Sequence, residues 1–594
     1  MSFIKLSNQE NPINDFASSQ RILLRSPNME FMTSVFPIKI KEYVGFNKDY
    51  ALEGLTIQDE KNNTTKLIEN IFYSFGQEIK SSENRIMPWH FEVEYSLENQ
   101  KILAIYSLDR LEQTLYVTFS SEKNFPLKIR TFYPEKSHLN SDSSVQVESY
   151  KVRTAGNDSK FKEEYEELNW NYKLGWGFRD YDKKFIPAQN KIKSYGIFEF
   201  PEKRKHLLRF STVLLPRSSS TFSELFEKQN YLKIIKSEKP MLDFYQEKFG
   251  KELTKALSLR LYNLIYKFDF NEYLDSGSLW FRKPWARDCV HIMNQELEYF
   301  IKYRPRFTRK IIYNLIKTLR QEKLPLILNS NEYGGIDQNL ELILLLKQYS
   351  KYDDSVFLKG LQIAANFARE YRENGLIYCN PNDSWTDCIL HSDGEKSIRT
   401  LEPLSEKASL AEINAMAYKI ETEYAVEVID QNEFKDKFRG FTHAITGKKH
   451  DELNVLTLEK HYYAPELFQK ERTEILEKIK DIFIKRNGQL FGIKTIDRDK
   501  YYVNDNQYHT CVYWPREARF LYDFLDKNNE QQICEELLKT NLEATLEGCV
   551  GFESELYSSS EEHDLPVPVK NPAQTWSMFM KPYKLFFEKH STLQ

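Results

Sequence analysis

Asp383-Ser-Trp-Thr-Asp387 sets a carboxylate two residues after a tryptophan in a polar loop. It is followed by Leu410-Ala-Glu-Ile-Asn-Ala-Met-Ala-Tyr418, a run with helical apolar spacing. A second acidic cluster, Gly551-Phe-Glu-Ser-Glu555, lies far away in sequence. Two carboxylates on distant loops, each with aromatic neighbours, are the equipment for breaking a bond between sugars. One carboxyl protonates the leaving oxygen, and the other activates water or attacks the sugar carbon.

Around these loops the pattern is helical from about Ser220 onward. Apolar residues recur at helical spacing over Met241–Phe268, Val290–Tyr303, Phe307–Gln321, Gln338–Tyr349, Asp354–Arg372, Leu410–Val428, Thr473–Ile484, Trp514–Asp526, Glu530–Leu546 and Thr575–Phe587. Loops rich in Asn, Asp, Ser and Gly separate them. So many helices without a short repeat fit a toroid of paired helices, an (α/α) barrel; a plain bundle or solenoid is the alternative. Before residue 220 the period is two: Phe91–Tyr95, Ile102–Tyr106, Leu115–Phe119, Leu127–Phe132 and Leu207–Pro216 read as antiparallel strands, with Ser120–Asn124 as a turn and Asn157–Glu167 as an exposed loop. Their spacing suggests a β-sandwich. The expected organisation is a β-sandwich over 1–219, a helical linker over 220–240 and a helical barrel over 241–594.

Composition bounds the partners. Lys+Arg 83 against Asp+Glu 87 leaves no basic surplus for nucleic acid. An aromatic share of 14% fits large cores or a carbohydrate cleft, and composition alone does not separate them. The six cysteines form no CxxC pair and show no zinc spacing. The N-terminus lacks the apolar core of a secretory signal, and no apolar run reaches membrane-spanning length. The expectation is a cytoplasmic protein with reduced thiols. Neither a phosphate-cradling glycine loop nor a serine elbow is evident, so no metal or organic cofactor is expected.

Taken in order, the inter-helix loops form a set: Leu279-Trp-Phe-Arg-Lys-Pro-Trp-Ala-Arg-Asp288, Tyr333-Gly-Gly-Ile-Asp337, Trp385-Thr-Asp387, Ala411-Glu-Ile-Asn414, Tyr508-His-Thr-Cys-Val-Tyr-Trp-Pro515 and Gly548-Cys-Val-Gly-Phe-Glu-Ser-Glu-Leu-Tyr557, then His563 and Ala573-Gln-Thr-Trp576. This order resembles the glucosidase domain of glycogen debranching enzymes, the amylo-α-1,6-glucosidase family, within the glucoamylase-like (α/α)6 barrels. Pro284-Trp-Ala-Arg-Asp288 is similar to the family's Pro-Trp-Phe-Gly-Arg-Asp loop, one residue shorter. Trp385-Thr-Asp387 resembles its Trp-Met-Asp, Ala411-Glu-Ile-Asn-Ala415 its Val-Glu-Ile-Asn-Ala, and Ser554-Glu-Leu-Tyr557 its Ser-Glu-Ile-Phe. The chain departs at Ser558-Ser559, where the family has Asp-Gly, at Ser397-Ile-Arg399 for Thr-Pro-Arg, and at His509-Thr-Cys-Val for His-Asn-Gly-Thr.

The resemblance implies exo-hydrolysis of the α-1,6-linked glucose of a branched α-glucan with inversion, Asp387 as general acid and Glu555 as general base. Asp383 and Glu553 are the alternatives for the two roles. Trp385 would supply an apolar wall that keeps the acid protonated. Arg287 and Asp288 would bind glucose hydroxyls, or form a structural ion pair. Asp337 reads first as a helix cap, and Glu412 as a sugar contact, a support or a helix start. Arg399, His509 and His563 would line the site without carrying protons. Trp285, Trp385, Trp514 and Trp576 would be cleft walls or core residues. Two other readings stay open: a related barrel hydrolase acting on trehalose or α-1,4 ends, and a carbohydrate-binding protein with a degenerate site.

Overall fold

The computed structural model describes, in the N-terminal part, residues 4–7, 21–25, 29–34, 38–40, 43–45, 54–58, 64–68, 70–109, 114–134, 136–141, 144–147, 150–156, 160–172 and 188–211. From 221 to 591 it describes all but 271–272, 279–280, 329, 391–394, 501, 503–506, 547, 559–565, 570 and 572.

Among these residues the N-terminal part is antiparallel sheet. A 13-stranded sheet runs through Ser81–Ile86, His90–Ser96, Lys101–Asp109, Thr114–Pro134 and Ala188–Ser211, and a four-stranded sheet is built from Arg21–Arg25, Met29–Ser34, Gly54–Gln58 and Thr64–Ile68. The alternation legible in Phe91-Glu-Val-Glu-Tyr95 puts Phe91, Val93 and Tyr95 in the core. Phe31 of the smaller sheet stacks on Phe91 and Tyr106 of the larger at 6.3 and 6.0 Å between ring centroids, so the two sheets meet face to face. Two expectations fail here. Ser120–Asn124 is an exposed irregularity inside one long strand, because that strand continues pairing with Ala188–Ser211 on both sides of it. Lys160–Glu167 is not a loop but the start of the strand Lys160–Tyr172, which pairs with Ala188–Ser211 and exposes Lys160, Lys162, Glu163 and Glu164. Leu207–Pro216 forms strand as far as Ser211; the remainder lies outside the described residues.

Fourteen α-helices follow among the described residues: α1 (Thr221–Ser237), α2 (Lys239–Phe249), α3 (Lys251–Tyr266), α4 (Ala286–Tyr303), α5 (Pro305–Thr318), α6 (Asp337–Tyr349), α7 (Phe357–Tyr371), α8 (Ala411–Tyr424), α9 (Gln431–Lys437), α10 (Leu456–Tyr463), α11 (Arg472–Ile479), α12 (Ala518–Lys527), α13 (Gln531–Ala544) and α14 (Lys581–Ser591). Met241–Phe268, one run by its spacing, is two helices broken at Gly250, whose φ of +85° no helix accommodates. Every second helix packs on the next: α4 on α6, α6 on α8, α8 on α10, α10 on α12 and α12 on α14. These helices are the more buried set, and α10 is apolar or buried almost all round. No described helix is long and apolar enough to cross a membrane.

The sheets and helices share one interior. Ala256, Leu259 and Val550 pack into the β core, while Leu23, Met32 and Trp89 pack into the helical core. Tyr231 of α1 sits between Trp89 and Tyr262, at 5.9 and 5.7 Å. At this seam Arg25 donates to Asp275 at 2.7 Å and to the Gly277 carbonyl at 2.9 Å, and its Nε pairs with Glu30 at 2.7 Å. Arg282, fully buried, joins the same cluster 3.5 Å from Glu30. The segment 275–285 therefore reaches α4 already anchored to the β part. Replacing Arg25 by Ala takes from the buried Asp275 and Glu30 the cation that both contact at 2.7 Å. The expected cost is about 3–5 kcal/mol, read as an earlier urea midpoint; an unchanged midpoint would show that the cluster does not hold the seam.

Candidate active site

The N-terminal ends of α4, α6 and α8 converge with three loops, and each brings a charged side chain. Trp285 precedes α4 with an extended backbone, which turns Arg287 and Asp288 into the first turn. Arg287 is the hub. Its Nε pairs with Asp337 of α6 at 2.8 Å, its Nη1 donates to Asp387 Oδ2 at 2.6 Å, and its Nη2 reaches the Ser384 carbonyl at 3.3 Å. Gly335 must be glycine: an added Cβ would stand 2.5 Å from Arg287 Nη2. Asp337 is the first residue of α6 rather than its cap, and it accepts from its neighbour Gln338 N–H at 2.8 Å.

Asp387 is the most open of the site carboxylates, its side chain 40% exposed. Its other oxygen lies 3.5 Å from His509 Nε2. Burial opposes ionisation of Asp387, but Arg287 and His509 outweigh it and hold the carboxyl below the usual aspartate value. The expected apolar wall is therefore not what governs this group: Trp385 turns its indole N–H away, donating to Glu459 of α10 at 2.6 Å. Asp383 is committed to its own turn, accepting from Asn380 N–H at 2.9 Å. Burial lowers the pKa of His509 against the opposing pull of Asp387, and its ring stacks on Trp514 at 5.1 Å.

Glu555 and Glu553 are both buried, and their partners separate them. Glu553 is held by Arg260 at 2.5 Å and by the Tyr557 hydroxyl at 2.5 Å, and Arg260 stacks on Phe579 at 4.3 Å. Glu555 accepts from the Tyr508 hydroxyl and, at 3.1 Å, from Asn571 N–H. Tyr508 is the adjacent residue to His509, so one step of backbone touches both Glu555 and Asp387. Asp288 belongs to the same group. Burial pushes its carboxyl up to about 8, beyond the opposing pull of Ser276 and Arg287, and Glu555 adds to the rise.

Several expected contacts stand behind this surface. Arg399 and Glu412 are fully buried and grip each other in a bidentate pair, 2.6 Å on one side. Glu412 also accepts from Ser384 at 2.6 Å, and Arg399 reaches Thr386 at 3.4 Å, so the pair braces the loop that carries Asp387. Asn414 bonds to the backbone of Ile377 and Leu410. Trp514 donates to the Tyr508 carbonyl at 3.1 Å. Trp576 lies edge-on to it and Trp285 is half-buried; neither indole N–H has a hydrogen-bond partner among the described residues. His563 lies outside the described residues.

Sequence reasoning missed Arg516 and the carboxylates around it. Arg516 lies 4.4 Å from Trp385 and 5.0 Å from Trp576, ring centre to guanidinium carbon, with Glu517 at 3.3 Å and Glu341 at 3.9 Å. The signal was present, since Arg516-Glu517 directly follows the quoted Trp514-Pro515. Glu459 escaped because α10 is eight residues long and has no polar face to give a period. Burial raises Glu459 to about 8 and Glu341 to about 7.

The structure superimposes on that of a bacterial glucoamylase complexed with acarbose, with a TM-score of 0.52 and 11% sequence identity, covering 99% of this chain and 97% of that one. It also matches, less closely, an α-L-rhamnosidase from Dictyoglumus thermophilum (TM-score 0.36, 9% identity, 99% and 74% covered) and a family GH92 inverting mannosidase from Bacteroides thetaiotaomicron (0.33, 10%, 83% and 69%). No protein-family model and no curated protein matches the sequence. At such identities the likeness is one of fold, and only the glucoamylase superposition is close enough to argue from: the chain shares that glucoamylase's fold.

Asp288 makes a prediction about pH. A carboxyl raised to about 8 in the folded protein, against roughly 3.9 unfolded, stabilises the fold below the unfolded value. That contribution is lost as pH rises through about 8. The melting temperature should fall between about pH 5 and pH 8, and Asp288→Asn should reduce the slope. Parallel curves would show that Asp288 is already ionised in the fold.

Proposed function

We propose that the protein is an exo-acting, inverting glycoside hydrolase that removes α-1,6-linked glucose from branched α-glucan. It would be built as a β-sandwich over 1–219, a helical linker over 220–240 and an (α/α)6 barrel over 241–594, and would act in the cytoplasm. The observation that carries the reading is the meeting of Asp387 and Glu555 on the Tyr508-His509 step. In this mechanism Asp387 protonates the glycosidic oxygen and Glu555 activates water on the other face of the ring, which calls for carboxyls about 6.5–9.5 Å apart. Arg287 and Asp288 would hold the terminal glucose, with Trp285 and Trp576 offering unpartnered indole N–H groups.

Asp387 suits the acid role by exposure, since an acid must reach the leaving oxygen, and Glu555 suits the base role by the hydrogen bonds it accepts from Tyr508 and Asn571. The shared glucoamylase fold supports a second substrate reading, α-1,4-linked ends or trehalose, with the same residues in the same roles. The third reading, sugar binding without turnover, is an outcome of the same test.

The test is glucose release from isomaltose, panose, branched limit dextrin, maltose and trehalose, with NMR of the released anomer. β-Glucose from the α-1,6 substrates is expected. α-Glucose would replace inversion by retention, release only from maltose or trehalose would move the substrate, and no release from any with sugar binding intact would leave a binding protein. Asp387→Asn and Glu555→Gln should each lower kcat by about 10²–10⁴-fold; full turnover in either removes that residue from its role.

A further inference from the structure

Asn571 and residues 573–575 run between two other segments and bond to both. On one side the Glu555 N–H donates to the Asn571 carbonyl and the Gln574 N–H to the Glu553 carbonyl, each at 2.9 Å. On the other side the Ser278 N–H donates to the Ala573 carbonyl at 2.9 Å, and the Thr575 N–H to the Ser276 carbonyl at 2.7 Å. The Thr575 hydroxyl adds a bond to the Asp275 carbonyl. Segment 275–278 is the one that Arg25 grips through Asp275 and the Gly277 carbonyl. The stretch therefore joins the seam with the β part to the loop that carries Glu553 and Glu555.

Asn571 ties this stretch together. Its side chain is fully buried, as is Ser278 beside it. Oδ1 accepts from the Ser278 hydroxyl at 3.0 Å and from the Ala573 N–H at 2.9 Å, and Nδ2 donates to the Ser278 carbonyl at 2.6 Å. An amide held at both its oxygen and its nitrogen cannot turn without leaving buried polar groups unpaired. The backbone follows the side chain: the Asn571 N–H donates to Glu555 Oε2 at 3.1 Å. The backbone bonds of residues 573–575 already close the seam. The grip of Asn571 on Ser278 adds one thing to them, the direction of its own N–H.

We propose that Asn571 is a positioning residue for the base: gripped by Ser278, it holds its N–H on the Glu555 carboxylate. The proposal rests on the reading of Glu555 as the base. A hydrogen bond donated to a carboxylate favours its ionised form, which is the form a base needs. Two other groups act on the same carboxyl, the Tyr508 hydroxyl and Asp288 from the first turn of α4. Asp288 opposes ionisation of Glu555 when it is itself charged, because like charges favour protonation. The Asn571 N–H is a neutral donor, and its place is set from the seam. Ionisation of the base is thereby linked to segment 275–278, and through it to Arg25 of the β part.

The test follows the Glu555 carboxyl directly, by carbon-13 NMR titration of the full chain labelled at the glutamate carboxyls, with Glu555→Gln to identify its signal. Asn571→Ala should raise the titration midpoint by about half a pH unit or more. Ser278→Ala removes a single donor to Asn571, so it should move the midpoint the same way by less, and it decides the matter if Asn571→Ala does not fold. Thr575→Val breaks a bond of the same seam without touching Asn571; it should lower the melting temperature and leave the midpoint in place. An unmoved midpoint in Asn571→Ala, or in Ser278→Ala where only that variant folds, overturns the proposal. An equal shift in Thr575→Val overturns it too, since any loosening of the seam would then do the same. The pH dependence of kcat/KM separates this from the hydrolase reading, because its acid limb should move with the midpoint. A moved midpoint with a fixed limb, or with no turnover at all, would remove Glu555 from the base role and leave the hold of Asn571 on its carboxyl standing.

Discussion

Arg287 is the point on which the rest of the site depends. One guanidinium ties the first turn of α4 to Asp337 of α6 and to Asp387 on the loop between α7 and α8. Removing it would leave Asp337 and Asp387 without the cation that both contact. A hydrophobic residue of the same size could hold the helices together as well or better, because burying ions costs several kcal/mol each. An arginine kept in such a place is a device for position and charge rather than for stability. It sets where Asp387 stands, and it sets Asp387's proton affinity.

The same imbalance runs along the inner ends of the helices. Asp288, Asp337, Glu341, Glu412, Glu459, Glu517 and Glu555 are buried, and Arg287, Arg399 and Arg516 pair with four of them: Asp337, Glu412, Glu341 and Glu517. Burial and these cations act on the carboxyls in opposite directions. Burial resolves the conflict by raising Asp288, Glu341 and Glu459 while Arg287 and His509 keep Asp387 low. Carboxyls of different proton affinity within one cluster are what acid–base chemistry at neutral pH requires. The backbone that holds them is fixed from two sides: the Arg399–Glu412 pair braces the Ser384–Thr386 segment, and the Arg25–Asp275 cluster braces the approach to Trp285. The β part thus contributes to the site through the seam.

Much of this was legible in the sequence, for identifiable reasons. The acidic and aromatic loops stood out because their residue types are unusual for solvent-exposed turns, and the structure brings Asp387, Arg287, Asp288, Asp337, Trp385 and His509 into one neighbourhood. What a loop sequence cannot convey is which way a side chain turns. Trp385 reads as a wall for Asp387, yet its N–H is taken by Glu459, on a helix whose residues face protein on every side and so leave no period. Glu412 reads equally as a sugar contact, a support or a helix start, and its bidentate pairing with Arg399 is visible only in the fold. Glu553 and Glu555 are two residues apart in a turn, and only the partners Arg260 and Tyr508 distinguish them. In the β part, one residue pattern served both for a turn and for an irregularity inside a long strand, because the distinction lies in the partner strand.

The low proton affinity of Asp387 bears directly on the acid role proposed for it. Two opposing influences act on it, and they respond differently to a bound saccharide. The pull of Arg287 is fixed by a 2.6 Å contact, while the desolvation that opposes it is incomplete, since the side chain is 40% exposed. A sugar ring seated on that exposed face removes water from the carboxylate and brings no positive charge, so it raises the pKa. Glycosidic oxygens also accept hydrogen bonds, which stabilises the protonated carboxyl and not the carboxylate. Both effects act in the same direction and only when substrate is present. In the proposed reaction the protonated form would thus be favoured by the substrate itself, with Arg287 holding the carboxyl in place until then.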